Sequence, residues 1–320
     1  LPEVQNLLAL AATAEPLDPL TPIPRLRAAC DAGVIAQHDR VRQYGELPRV
    51  VDLHAGDVPV RLYVPSQAAN LPVHVHLHGG GWWMGSVETV DPMARELAHR
   101  SGLAVVSVDY RLAPEHPFPA GLDDVCTVLD WLATAPKELG FAPTSISLGG
   151  ESAGANLAAV ACFRIREQGG PPLVAQWLDI LPADLTTPDD EALRDYGTGF
   201  GLEMSQVPVL LAWYGADAHD PLVSPALASD LTDLPPAIIT TAECDPLRDQ
   251  GERYAAALAA AGNQVYVSRA LGHIHASSWL TGLTPGTAQW YDDVVAVLVA
   301  HHAEGASSLA APALTRPRRS

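Results

Sequence analysis

From Arg49 onward the chain alternates between two hydrophobic patterns. Short runs rich in β-branched residues recur: VHVHLH, LAVVSVD, SISLGG, LVAQWLDIL, AIITTAE and QVYVSRA. Most precede a longer stretch whose apolar positions return at helical spacing. Runs apolar at nearly every position suit strands covered on both faces, and the longer stretches suit helices with one buried stripe. The spacing predicts helices near 91–100, 120–133, 152–168, 246–261 and 287–302. Ahead of them, RVVDL and VPVRLYV, separated by His54 to Asp57, predict an antiparallel hairpin. The alternation predicts an α/β fold, with a mostly parallel central sheet flanked by helices.

Two segments break the rhythm. Residues 1–45 read as helical pieces interrupted by Pro16, Pro19, Pro22 and Pro24. Within them VQNLLALAA carries an apolar stripe, Val4, Leu7, Leu8 and Ala11, which suits either core packing or a helix over a site. Residues 183–221 hold no clear strand and many Asp, Gly and Tyr residues, and read as an insertion over the carboxyl edge of the sheet. The expected division is 1–45 as the first part of a helical cap and 46–182 as the first part of the core. Then come 183–221 as the cap insertion, 222–303 as the second part of the core and 304–320 as a disordered tail. No internal repeat interrupts this plan.

Composition narrows the partners. The 320 residues are 48% hydrophobic, ample for a sizeable core. With 37 acidic against 19 basic residues the net charge is −18, which repels nucleic acid and anionic lipid. No apolar run approaches the ~20 residues that span a bilayer, so no stable membrane insertion is expected. No basic residue precedes Arg25, so the N-terminal stretch does not read as a secretory signal. Cys30, Cys126, Cys162 and Cys244 lie far apart with no CxxC pair, the usage of reduced thiols, and point to the cytoplasm.

The chemistry enters with Gly150-Glu151-Ser152-Ala153-Gly154, a G-x-S-x-G turn between a short strand and an Ala-rich helix. Small residues at both ends let strand and helix approach closely, so the Ser152 hydroxyl is lifted clear of the backbone. A serine needs a base, and on this fold the acid and then the histidine follow it in the chain. AIITTAECDPLRDQG offers Glu243, Asp245 and Asp249, with Asp245 best placed in the loop before Pro246. LGHIHASSW offers His273 and His275, and the pattern alone leaves both open. Acyl transfer also needs N–H donors for the developing oxyanion, each typically worth ~2.7–4 kcal/mol of barrier. The strand ending in His78-Gly79-Gly80-Gly81 can bend bare backbone toward that oxygen, and the N–H of Ala153 completes the hole. The alternating His74, His76 and His78 raise a competing reading, since side chains at every second position of a strand share one face and imidazoles bind zinc. His78 belongs to the glycine turn, however, and two histidines leave zinc short of its usual third ligand. No metal and no organic cofactor are expected.

Taken together, HGGGW at 78–82, VSVDYRLAPEHPFPA at 106–120, GESAG at 150–154, LPPAIITTAECDPLRDQG at 234–251 and GHIH at 272–275 resemble the hormone-sensitive-lipase-like esterases of the α/β-hydrolase superfamily. The resemblance covers about residues 50–300. It implies a Ser152–His275–Asp245 triad, because that family's histidine stands three residues after a glycine, here Gly272. It also implies an oxyanion hole of Gly80, Gly81 and Ala153, with Gly79 a further candidate. Glu151 replaces the family's usual Asp, Ser277 an aromatic residue, and Trp82-Trp83 is bulky after the glycines. Trp83, Glu151, Trp213 and Tyr214 are the candidate pocket residues. DYRLAPEHPFPA reads as a structural loop beneath the glycine turn, with Asp109 and Arg111 paired. The implied activity is hydrolysis of short- to medium-chain acyl esters of small molecules through an acyl-enzyme. An amidase, carbamate hydrolase or lactonase with the same triad is the alternative, and a small-molecule receptor on the same fold a more distant one. By analogy with the family, a homodimer would form through the edge strand at Gln264 to Arg269.

Overall fold

The computed structural model describes residues 1–11 and 21–310. Eight strands form one sheet: β1 (Arg49–Ala55), β2 (Val58–Val64), β3 (Asn70–Leu77), β4 (Ala104–Val108), β5 (Ala142–Glu151), β6 (Leu173–Asp179), β7 (Ala237–Cys244) and β8 (Val265–Ile274). Their order is β1-β2-β4-β3-β5-β6-β7-β8. The hairpin β1–β2 and the β2–β4 pair are antiparallel, and every other pair is parallel. Parallel strands need crossovers, and the helices predicted between the runs supply them.

Two apolar layers explain why the inner strands are hydrophobic on both sides. On one face α4 (Ala120–Ala133), α5 (Ala153–Gln168) and α8 (Arg248–Ala260) bury Leu122, Leu129, Leu157, Val160 and Leu258 against Val73, Val75 and Val106. On the other, α3 (Asp91–Ser101) and α9 (Pro285–Ala310) bury Leu97, Tyr291, Val294 and Leu298 against Val105, Trp177 and Ile238. All five residues of β4 are buried. β1 buries little beyond Ala55, as an edge strand of a hairpin can.

The N-terminal segment forms α1 (Pro2–Ala11) and α2 (Ile23–Ile35). Pro22 and Pro24 start α2 rather than interrupt it, because proline is tolerated in the first turn of a helix. Pro16 and Pro19 lie outside the described residues. The 183–221 segment carries two short helices, α6 (Glu191–Tyr196) and α7 (Val207–Tyr214), and no strand. The expected tail from residue 304 is corrected in part. Helix α9 runs on to Ala310, and residues 311–320 lie outside the described residues. At Gly305 a Cβ would meet Val174 Cγ1 at 2.3 Å, so the glycine lets the helix pass tightly over the start of β6. The expected Asp109–Arg111 pair is also corrected. Arg111 instead forks onto Asp124 at 2.7 and 2.9 Å, because the first turns of α4 present that carboxylate to it. No helix among the described residues is long and apolar enough to cross a membrane.

Candidate active site

The sharp turn between β5 and α5 holds Ser152 at φ 52°, ψ −118°. A side chain at positive φ stores on the order of 1–3 kcal/mol of strain, which the neighbours must sustain. Two constraints do so here. A Cβ at Gly150 or Gly154 would meet the Leu77 carbonyl oxygen at 2.2 or 2.1 Å, so β3 closes on the turn as only glycine allows. The Ser152 N–H donates to the Asp179 carbonyl on β6 at 2.9 Å.

Across the sheet edge, His275 Nε2 lies 3.0 Å from Ser152 Oγ, and His275 Nδ1 lies 2.8 Å from Asp245 Oδ2. The Asp245 carboxylate is buried, and its other oxygen accepts the Leu247 N–H at 2.9 Å. Burial alone would lower the imidazole pKa, but the charge and hydrogen bond of Asp245, with Asp179 and Glu151 behind it, hold it above the ordinary histidine value. The rival residues are engaged elsewhere. Glu243 accepts the Gly272 N–H at 2.6 Å, and Asp249 accepts the Ala192 N–H at 2.8 Å. His273 sits between the hydroxyls of Ser277 and Thr287 at 2.9 and 3.0 Å, and burial pushes its pKa down to about 4. Ser277, where an aromatic residue was expected, thus holds the loop that carries His275.

A second buried serine–histidine contact makes an instructive contrast. Ser147 Oγ lies 2.8 Å from both His302 Nε2 and His74 Nδ1, tying α9 to the sheet. The other ring nitrogen, Nδ1, meets the Ser145 hydroxyl at 2.7 Å and no carboxylate among the described residues, and burial pushes the His302 pKa down to about 4, so the contact is structural.

The glycine turn is partly consumed by its own fixings. The Gly79 N–H donates to Glu151 Oε1 at 2.8 Å, while Glu151 Oε2 lies 3.0 Å from His76 Nε2. Gly79 is therefore occupied, whereas the N–H groups of Gly80, Gly81 and Ala153 meet no protein acceptor among the described residues. Gly80 at φ +119° and Gly81 at φ +57° need glycine's freedom. His78 lies beneath, its ring stacked on Tyr110 at 4.2 Å and its carbonyl accepting the Tyr110 hydroxyl at 2.7 Å. His74 and His76 are thus tied to Ser147 and Glu151, and no group of three potential ligating side chains occurs among the described residues. Behind the elbow, His76, Glu151 and Asp179 border a cavity of about 40 Å³ walled by Trp177, Trp279 and Trp290. Burial raises the Asp179 carboxyl to about 7, against the pull of the Thr240 hydroxyl at 2.5 Å.

Of the four pocket candidates, Trp83 and Trp213 meet edge to face at 5.2 Å beside the turn. Tyr214 is buried between Trp82, stacked at 4.6 Å, and Phe118 at 5.6 Å, a packing position that anchors α7. Glu151 holds Gly79 and His76, so its carboxylate braces the turn. Leu210 of α7 stands over Gly81, 3.3 Å from where a Cβ would lie. Sequence reasoning missed Asp179, although a lone acid in the apolar run LVAQWLDIL was a usable signal. It also missed Arg27 and Asp31 of α2. Arg27 Nε donates to the Trp83 carbonyl at 2.6 Å, and Asp31 Oδ1 accepts the Gly85 N–H at 2.9 Å.

Residues 74–278 match the family model described as alpha/beta hydrolase fold. The chain belongs to the α/β-hydrolase family. Within that family it is hormone-sensitive-lipase-like. It is 45% identical over 228 residues to carboxylesterase NlhH of Mycobacterium tuberculosis, covering 68% of this chain and 70% of that protein. An arylesterase of Saccharolobus solfataricus is 37% identical over 234 residues, covering 71% of this chain and 74% of the relative. Among solved structures, the esterase of Pyrobaculum calidifontis superposes with a TM-score of 0.82 at 31% identity, covering 96% of this chain and 99% of that one. An ester hydrolase from the Lake Arreo metagenome, complexed with a derivative of bipyridine phosphonate, gives 0.85 at 33% identity, over 95% and 99% of the two chains.

Proposed function

We propose that this α/β-hydrolase is a serine carboxylesterase whose nucleophile is Ser152. The observation that carries the reading is the contact chain Ser152 Oγ–His275 Nε2 at 3.0 Å and His275 Nδ1–Asp245 Oδ2 at 2.8 Å. Ser152 attacks the ester carbonyl as His275 takes its proton. The carbonyl oxygen becomes an oxyanion facing the N–H groups of Gly80, Gly81 and Ala153. Collapse expels the alkoxide, which takes the proton from His275 Nε2, and leaves an acyl-Ser152 ester. Water, deprotonated by the same imidazole, then adds to the acyl carbonyl. The second collapse releases the acid and returns the proton to Ser152, while Asp245 stabilises the imidazolium throughout.

Four further readings go with it. Residues 1–45 and 183–221 act as a cap, since α2 bonds to the Trp83–Gly85 segment and α7 stands over Gly81. The bulk of Trp83 and Trp213 beside the turn favours short to medium acyl chains. The outer edge of β8 exposes Val267 and Leu271, and pairs with a second copy. Four unpaired cysteines suit a cytoplasmic setting.

The test is a matched panel of p-nitrophenyl esters and acyl anilides. Esters of about two to six acyl carbons should be hydrolysed, and anilides much more slowly. Anilide turnover equal to or above ester turnover would move the assignment to an amidase.

A further inference from the structure

Helix α2 has a thin apolar docking face: of Ile23–Ile35 only Leu26 is buried. What ties it to the core is polar and falls on the Trp83–Gly85 stretch and the adjoining Ala113–Glu115 loop. Arg27 Nε donates to the Trp83 carbonyl at 2.6 Å, and its Nη2 donates to the Ala113 carbonyl at 3.0 Å. The same guanidinium forks onto Glu115 at 2.7 and 3.2 Å. One helical turn later, on the same face, Asp31 Oδ1 accepts the Gly85 N–H at 2.9 Å. The Ala113 N–H in turn donates to the Trp82 carbonyl at 2.9 Å, so Arg27 joins two loops that already touch.

The clasped stretch is the exit of the glycine turn. The Gly80 carbonyl accepts the N–H groups of Trp83 and Met84 at 3.2 and 3.1 Å, so residues 80–84 close as one unit. The entry of that unit is fixed by Glu151 on Gly79. Without its exit fixed, the unit could pivot about Gly80 and Gly81, the two residues whose N–H groups face the oxyanion. From this geometry we infer that Arg27 and Asp31 are positioning residues of the oxyanion turn, so that α2 serves catalysis itself as well as covering the acyl chain. The inference rests on the serine esterase reading. It separates α2 from a mere lid, because a lid affects long acyl groups and a clasp affects every ester.

The test compares Arg27→Ala, Arg27→Lys, Asp31→Ala, Asp31→Asn and Glu115→Gln on acetate and hexanoate esters. Rates are normalised to sites titrated with an organophosphonate, which discounts unfolded protein. Arg27→Ala and Asp31→Ala should each lower kcat about tenfold on both esters with KM little changed, as misaimed donors do. Asp31→Asn keeps an acceptor oxygen and should be near the parent, and Arg27→Lys should recover part of the loss. Glu115→Gln leaves both carbonyl bonds and should also be near the parent. Unchanged kcat per titrated site in the alanine variants would overturn the inference, as would a loss confined to KM for hexanoate. Failure of the parent protein to label with the phosphonate would instead overturn the esterase reading.

Discussion

At the scale of single residues, the site is a set of ionisable groups sorted by their surroundings. His275 and His273 stand two positions apart, yet Asp245 raises the first while burial between two hydroxyls lowers the second. A general base must be neutral to work, so the acidic limb of the kcat/KM profile should have its midpoint above the ordinary histidine value of ~6.5. Asp179→Asn removes one of the carboxylates that raise it, and the limb should shift to lower pH. Stability gives an independent readout of the same residue. The folded-state pKa of Asp179, about 7, lies above that of an unfolded aspartate, so the native state binds the extra proton between those values. Its contribution is therefore most favourable below the unfolded pKa, and stability is lost as pH rises through about 7. Thermal melts should find Asp179→Asn stabilising at pH 8 and much less so at pH 5. Equal changes at the two pH values would mean that Asp179 is ionised throughout. The turn that holds Ser152, the proposed nucleophile, was legible in the sequence because G-x-S-x-G states a local backbone geometry. The choice between His273 and His275 was not, since both partners of each come from distant segments and only the resemblance separated them.

At the scale of elements, the two N-terminal helices of the proposed cap divide its work. Leu1, just ahead of α1, packs against Gly272, beside the loop that carries His275, whereas α2 grips the glycine turn. Removing residues 1–20 takes away α1 and leaves α2. It should flatten the dependence of kcat/KM on acyl length, by about 0.8 kcal/mol or fourfold for each methylene that loses its cover, and spare acetate. Removing residues 1–36 also takes Arg27 and Asp31, and should lower acetate turnover as well. Steady-state kinetics of the two truncations on an ester series would find identical acetate rates if α2 did no more than cover the chain. The strands and crossover helices were legible because each has a period of its own. What α2 touches was not: Arg27 and Asp31 share a face by spacing, but nothing local names a backbone carbonyl and N–H more than 50 residues away as their partners. The end of α9 was misjudged because the composition from residue 304 does not show that Gly305 fits against Val174 in the fold.

At the scale of the whole molecule, the parallel sheet brings Ser152, Asp245 and His275 to its carboxyl edge, and β8 ends the strand order. Val267 is 47% and Leu271 68% exposed there, which suits pairing with a second copy. Val267→Lys should convert a dimer to monomer by light scattering without changing kcat, because the residue is remote from Ser152. A parent protein already monomeric at high concentration would dispose of that proposal. The architecture was legible from the βα rhythm. The account stands on one claim above the others, that Ser152 is the nucleophile and His275 its base. It is tested most directly by intact mass after incubation with a p-nitrophenyl phosphonate. The account predicts one phosphonyl group per chain, located on Ser152, absent in Ser152→Ala, formed orders of magnitude more slowly in His275→Ala and at a near-parental rate in His273→Ala. Stoichiometric labelling that survives Ser152→Ala, or that depends on His273 instead of His275, would contradict it.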